Sequence, residues 1–426
     1  MKSRQFKASP LFDAHKTFVR LAMGLAMLDE YPDARGFVDE LAKSIPNIRQ
    51  DFIQTQAFLK SYSRKSEATY RSYRNEVERL LLWAWTEAGK TVIELKRPEL
   101  EQYFDFVHSP HASWVAQSVQ ERFKHIGGEA RQNKNWRPFV AKISKEDRKK
   151  ALAGGLEVQP QRDGHVLSAE AMKICFSAIS CFYDYLVDEG YAFGNPIPAI
   201  RKQSPYLIKG ATQKNIKRLS DLQWDYVLDC AKQAADQDPS YERMLFIVAL
   251  LKTLYLRVSE LSERANWQPI WQHLWQDAEG NNWLKVLGKG NKIRDISVPS
   301  ALFPYIKRYR DYRTQLNANF NSNAPLVIKN RGSGGMTSRQ LRRIVQQAFD
   351  LAYDKMVSES FNEEAKALRE ATTHWLRHTG ASQDISTRPL KHMADDLGHA
   401  SMGTTDQVYI QSDMKERAKS GSSRKV

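Results

Sequence analysis

Cysteine is scarce in this chain. Only Cys175, Cys181 and Cys230 occur in 426 residues. An odd number at these spacings fits neither a disulfide framework nor a zinc site. All three are read as buried thiols in a reducing compartment. Long apolar runs are missing as well: the longest, Met244 to Leu251, is far too short to cross a bilayer. Met1 to Lys7 lack the apolar core of a secretion signal, so the expected location is the cytoplasm. No internal repeat or low-complexity tract is present. Acidic residues are in deficit, with 49 Asp and Glu against 64 Lys and Arg, for a formal charge of +15. That excess favours nucleic acid or an anionic surface over a small neutral substrate.

The length suffices for two or three domains, and a hydrophobic content of 42% supplies their cores. Residues 1–48 hold one or two helices, such as Leu11 to Leu28, and are read as a packing extension. A strong helix begins at Ser66, a suitable N-cap, and stops at Gly89. Tyr70, Tyr73, Val77, Leu80, Leu81 and Ala84 follow one buried face. Arg71, Arg74 and Arg79 lie off it, either as phosphate contacts or as an ordinary solvated face. A second helix spans Pro98 to Val107. The irregular stretch 109–165, with Gly127-Gly128 and a basic run around Lys145 to Lys150, reads as an insertion. Ser168 to Glu189 is helical again, with Ile174, Ala178, Cys181, Phe182, Tyr185 and Leu186 facing inward. The polar, basic segment 201–218, including Lys202, reads as an interdomain linker able to track a DNA backbone. Domain limits of 49–200 and 219–426 follow.

The richest stretch is His374 to Tyr409. His374 and Arg377, three apart on a predicted helix from Glu370 to Gln383, share a face. Arginine offers phosphate oxygens a planar fork of donors, and histidine can move a proton near neutral pH. Leu397-Gly398-His399 adds a second imidazole after a helix stop, and Tyr409 follows. A tyrosine attacking a phosphodiester is covalent catalysis. His-x-x-Arg, Leu-Gly-His and a following Tyr resemble the tyrosine recombinases, the phage integrase family. The spacing from His399 to Tyr409 is one residue longer than the family's usual one.

The resemblance implies two upstream pieces, and both have matches. Leu254-Tyr255-Leu256-Arg257-Val-Ser-Glu260-Leu corresponds to the family's Gly-Leu-Arg-x-x-Glu-Leu. Tyr255 stands where the family has Gly and is expected to alter the local turn. Arg257 matches the first catalytic arginine, and Glu260 the acid that keeps the site in shape. Two predicted strands, Trp283 to Leu287 and Ile293 to Val298, flank Gly288-Lys289-Gly290-Asn291, a hairpin turn. The family carries its catalytic lysine there, in a Gly-Lys-Gly-x-Lys-x-Arg context. Lys289 is the match and Lys292 the understudy.

The implied fold is mainly α with a small antiparallel β-sheet: a helical, SAM-like core-binding domain and an α+β catalytic domain. The implied catalytic residues are Arg257, Lys289, His374, Arg377, His399 and Tyr409, supported by Glu260. Arg71, Arg74, Lys202 and Lys292 are candidate DNA contacts. The implied chemistry uses no metal and no cofactor, and no acidic cluster near this set suits a two-metal mechanism. The implied partner is double-stranded DNA carrying a recombination site, bound by a tetramer that joins two sites, with no membrane involved. The rivals are a type IB topoisomerase-like enzyme and a catalytically silent DNA-binding relative.

Overall fold

The chain forms two units, residues 1–212 and 213–426, each with its own large hydrophobic core among the described residues. The computed structural model describes residues 8–64, 66–141, 143, 160–207, 217–316, 321–329 and 331–399, with Lys289 described by its backbone.

The first unit is a helical bundle with a β-containing insertion. Its helices are α1 (His15–Phe18), α2 (Pro32–Leu41), α3 (Ile48–Ser63), α4 (Glu67–Trp83), α5 (Arg97–His108), α6 (Ala169–Asp188) and α7 (Ile197–Gln203). Side-chain caps fix two of the starts. The Ser66 hydroxyl accepts from the Thr69 N–H at 3.0 Å, and that of Ser168 from Ala171 at 3.3 Å. After α4 a π-type turn, Ala84–Ala88, ends on Gly89 at φ +64°. Between α5 and α6 lie β1 (Val115–Ala116), β2 (Phe123–Ile126), β3 (Glu129–Gln132) and β4 (Phe139–Val140). β2 and β3 form an antiparallel hairpin around Gly127-Gly128, while β1 and β4 pair in parallel, a ladder the sequence did not announce.

One core runs from Ala8 through Ile200, so the N-terminal extension packs as part of this unit. Phe12 stacks on Phe52 at 5.2 Å between centroids. Burying such a ring is worth about 1.5–3 kcal/mol. Polar stitches add direction: the buried Glu78 carboxylate accepts from the N–H groups of Leu11 and Phe12 at 2.7 and 3.1 Å and pairs with Arg122.

That stitching overturns one reading from the sequence. Arg74, placed on the solvated face as a DNA contact, is 7% exposed. It donates to the Asp13 carbonyl at 2.7 Å and to Asn75 at 3.1 Å. The N-terminal extension covers the face on which helical periodicity left it open. Arg79 is likewise occupied, pairing with Glu76 and donating to the Pro138 carbonyl at 2.8 Å. Arg71 and Lys202 are exposed, the latter on α7 rather than in a featureless linker. Ile174, expected inside, is 50% exposed. The buried stripe of α6 runs instead through Met172, Cys175, Phe176, Ile179, Phe182, Tyr183 and Leu186.

The second unit comprises α8 (Asp221–Gln237), α9 (Glu242–Thr253), β5 (Leu274–Gln276), β6 (Asn282–Leu287), β7 (Ile293–Ser297), α10 (Phe303–Gln315), α11 (Ser338–Ser358), α12 (Asn362–Glu370), α13 (Thr373–Asp384) and α14 (Leu390–Leu397). α9 is buried along nearly its whole length because α8, α10, α11 and α13 surround it. β5, β6 and β7 form an antiparallel sheet in sequence order, with Leu287 opposite Ile293 at the hairpin end. The predicted helix from Glu370 to Gln383 is α13, which starts three residues later at Thr373; Glu370 ends α12, and buried Ala371 and extended Thr372, the N-cap of α13, turn the chain between the two. The mainly helical architecture with a small antiparallel sheet agrees with the expectation. No helix is long and apolar enough to cross a membrane among the described residues.

Candidate active site

At the end of α9 the chain makes a tight turn that delivers Arg257 and Glu260. Tyr255 sits there at φ +50°, a left-handed conformation that favours glycine. The turn therefore keeps a glycine-type backbone despite the substitution, contrary to the expectation of an altered one. Glu260 is 2% exposed, and its carboxylate is the hub. It accepts from the Arg257 N–H at 2.9 Å, from Arg257 Nη1 at 3.0 Å, and from Arg294 Nη1 and Nη2 at 2.9 and 3.0 Å. Burial alone would raise the Glu260 carboxyl, but the Arg294 fork and the other donors hold it below the usual range.

Arg377 reaches the same place from α13. It is 1% exposed. Nη1 donates to the Tyr255 carbonyl at 2.6 Å, and Nη2 to the Leu397 carbonyl at 2.7 Å. Arg257 Nη1 donates to that same Leu397 carbonyl at 3.3 Å. The end of α14 thus draws both arginines together. Gly398 ends α14 at φ +63°, and His399 follows, with Nε2 at 3.3 Å from Arg377 Nη2.

Arg294 on β7 is the residue that sequence reasoning missed. Besides gripping Glu260, its Nε donates to the Asp396 carbonyl at 2.9 Å. Glycines flank the guanidinium: a Cβ on Gly288 would lie 2.8 Å from Nη1, and one on Gly398 would lie 2.9 Å from the same atom. The glycine of Leu-Gly-His therefore serves both a left-handed helix stop and close passage of an arginine. The signal available for Arg294 was its place as the last residue of Gly-Lys-Gly-x-Lys-x-Arg.

Three imidazoles border these cations. Burial, then Arg377 and Arg257, lower the His374 pKa. Burial, then Arg377, Arg257 and Arg294, push His399 down to about 4. His378, with its ring 4.5 Å from that of His374, is lowered to about 4 by burial and by His374, Arg377 and His399. His378 and His399 are thus neutral at physiological pH. Three guanidiniums face one carboxylate, leaving a net positive cluster suited to an anion. His374 is exposed at its edge, while Arg377 is buried. Gly288 N–H bonds the Lys292 carbonyl at 2.8 Å, closing the hairpin turn. Lys289, Gly290 and Asn291 form that turn, with Gly290 and Asn291 at positive φ, and Lys292 is exposed. Tyr409 lies outside the described residues. No group of three metal-ligating side chains occurs among the described residues.

Residues 218–416 match the sequence model of the phage integrase family. The tyrosine recombinase XerC of Alcanivorax borkumensis is 27% identical over 253 residues, covering 59% of this chain and 72% of that protein. XerC of Pelobacter propionicus is 28% identical over 239 residues, covering 54% and 65%. A solved XerH site-specific recombinase, bound to its palindromic difH substrate, aligns over 98% of this chain and 99% of its own at 15% identity and a TM-score of 0.47. The family match to residues 218–416 covers the unit that carries the arginine cluster, and with the XerC relatives it marks a DNA breaking-and-rejoining enzyme. Residues 218–416 thus carry a phage integrase domain, and the chain is similar to the tyrosine recombinases.

Proposed function

We propose that the cluster around Leu397 and His399 holds the scissile phosphate of a recombination site, and that Tyr409 is the nucleophile. Arg257 and Arg377 grip the non-bridging oxygens and stabilise the charge that grows in the pentacoordinate state. The Tyr409 Oη–phosphorus bond forms as the phosphorus–O5′ bond breaks, leaving a 3′-phosphotyrosyl link and a 5′ hydroxyl. His374 assists removal of the tyrosyl proton, and Lys289 gives a proton to the departing O5′. His399 adds a hydrogen bond to the phosphate. The covalent link conserves the phosphodiester energy, so a 5′ hydroxyl from a second duplex can reseal the strand without a metal or cofactor.

The observation that carries this reading is the shared Leu397 carbonyl. Arg257 and Arg377 come from different elements, and both donate to it, one residue before the glycine that precedes His399. That arrangement brings two guanidiniums and an imidazole to one spot. Site-specific exchange between two DNA sites further implies a tetramer of this chain on paired duplexes. A half-site substrate containing a nick tests the reading: covalent adducts followed by joined recombinant strands are expected. Adducts that relax supercoils but never join two duplexes would indicate a topoisomerase instead. Binding without adducts would indicate a silent relative.

A further inference from the structure

Tyr255 pays for an unfavourable backbone. A non-glycine residue at φ +50° costs about 1–2 kcal/mol. Its side chain is 1% exposed and packs with Ala381, Met393 and Leu397 in a small core of its own. Its hydroxyl donates to Asp384 at the end of α13 and accepts from Arg388 Nη1 at 3.1 Å. Arg388 Nη2 continues to Asp396 Oδ2 at 2.6 Å and to the Ser297 hydroxyl at 3.1 Å. The tyrosine ring thus joins the turn after α9 to α13, to the segment before α14, to α14 itself and to β7.

The same residue's carbonyl receives Arg377 Nη1 at 2.6 Å. That carbonyl carbon is bonded directly to the Cα that carries the anchored ring. With glycine, nothing would restrain the peptide plane on the side-chain side. The ring also needs a space that α13 provides. A Cβ on Gly380 would come within 3.0 Å of Tyr255 Cδ1 and overlap the Lys252 carbonyl. Ring, hydroxyl and carbonyl are thus three anchors on one residue, and the third holds a proposed catalytic group.

We infer that Tyr255 is a positioning residue: its phenol, tied to Asp384 and Arg388, fixes the carbonyl that aims Arg377 at the scissile phosphate. The inference rests on the reading of Arg377 given above. A residue that merely fills the core would affect stability without regard to charge on the substrate. A residue that acts through Arg377 matters only where there is phosphate charge to stabilise.

Four proteins separate these cases. Wild type, Tyr255→Phe, Tyr255→Gly and Arg377→Ala are assayed by single-turnover cleavage on an ordinary phosphodiester site. The assay is repeated on a site whose scissile phosphate is a neutral methylphosphonate. Tyr255→Phe keeps the ring and loses the hydroxyl. It is expected to cleave the phosphodiester roughly 10- to 100-fold more slowly, the range for a displaced catalytic group, with site affinity unchanged. On the methylphosphonate its deficit should shrink to within about threefold, because replacing a non-bridging oxygen by methyl removes one negative charge from the phosphate and from the pentacoordinate state, and with it most of the demand on Arg377. Tyr255→Gly relieves the backbone but removes every side-chain anchor, and it should be at least as slow as Tyr255→Phe on the phosphodiester. An equal deficit for Tyr255→Phe on both substrates, or wild-type cleavage by either Tyr255 variant, overturns the inference. If Arg377→Ala itself cleaves the phosphodiester normally, the reading of Arg377 fails, and the inference falls with it. If Arg377→Ala is impaired while Tyr255→Phe is not, only the inference fails.

Discussion

Arg294 and Glu260 form a two-point ion pair in the interior of the second unit, Nη1 to Oε1 at 2.9 Å and Nη2 to Oε2 at 3.0 Å. The side chains are 13% and 1% exposed. This pair, rather than the Arg257–Glu260 pair alone, fixes the carboxylate on which the site is built. Without Arg294 the carboxylate keeps its bonds from Arg257, so Arg294→Ala should lose about 1.5–3 kcal/mol in denaturant unfolding, the range for hydrogen bonds to a charged group, together with cleavage. A loss below about 1 kcal/mol would show that Glu260 is adequately held without Arg294.

Gly398→Ala tests the close passage directly. The substitution places a methyl 2.9 Å from Arg294 Nη1 and requires a left-handed alanine at φ +63°. The backbone penalty alone is about 1–2 kcal/mol. Cleavage should fall further than stability does, because Arg294 and the Leu397 carbonyl shift together. The comparison is melting temperature against single-turnover rate. Wild-type cleavage in Gly398→Ala would mean that the contact has no bearing on the site.

The pH response follows from the imidazoles. His378 and His399 each titrate near 4 when folded, below the ordinary histidine value of 6.5. A depressed pKa means that the unfolded chain binds the proton first. Their contribution is complete above about pH 6.5 and lost as pH falls toward 4. Both groups are partly open to solvent, so the combined loss between pH 7 and pH 5 is about 1–3 kcal/mol. His399→Gln should flatten this part of the stability profile. An unchanged slope in that variant would contradict the assignment to His399.

Asp51 acts oppositely in the first unit. Burial raises its carboxyl to about 6, although Trp85, the Val92 N–H and Tyr191 donate to it. The folded state therefore favours the protonated acid. The stability this group contributes is present below about pH 3.8 and lost as pH rises through 6. Asp51→Asn should abolish this fall, measured as the difference from wild type between pH 4 and pH 7. A constant difference across that range would rule it out.

How much of this was legible in the sequence depended on distance along the chain. Lys289 could be assigned to a turn because Gly288, Gly290 and Asn291 lie beside it between two alternating strands. Arg257 and Arg377 could be paired because their motifs are ordered, although their meeting point, the Leu397 carbonyl, leaves no trace in residue type. Arg74 could not be read, since the segment that buries it lies some 60 residues earlier and contributes a backbone carbonyl at Asp13. Arg294 was hidden for a different reason: strand alternation describes which face a residue takes, not which carboxylate it meets. The helix that carries His374 and Arg377 was legible, with only its start misplaced, from Glu370 to Thr373.

Salt dependence probes the DNA partner as a whole. A chain of formal charge +15 that neutralises several phosphates releases counterions on binding. With 6–10 phosphate contacts, affinity should fall by roughly 1,000-fold or more between 50 and 200 mM salt. A flat response would mean that the basic excess lies away from the interface.

The most direct test is to trap the covalent intermediate and identify the residue that holds the DNA. Wild-type protein on a suicide site should yield a protein linked to a 3′ phosphate, and digestion should map the nucleotide to the peptide containing Tyr409. Tyr409→Phe should bind the site with unchanged affinity and form no adduct. A nucleotide mapped to any other residue, or adducts persisting in Tyr409→Phe, would contradict the account.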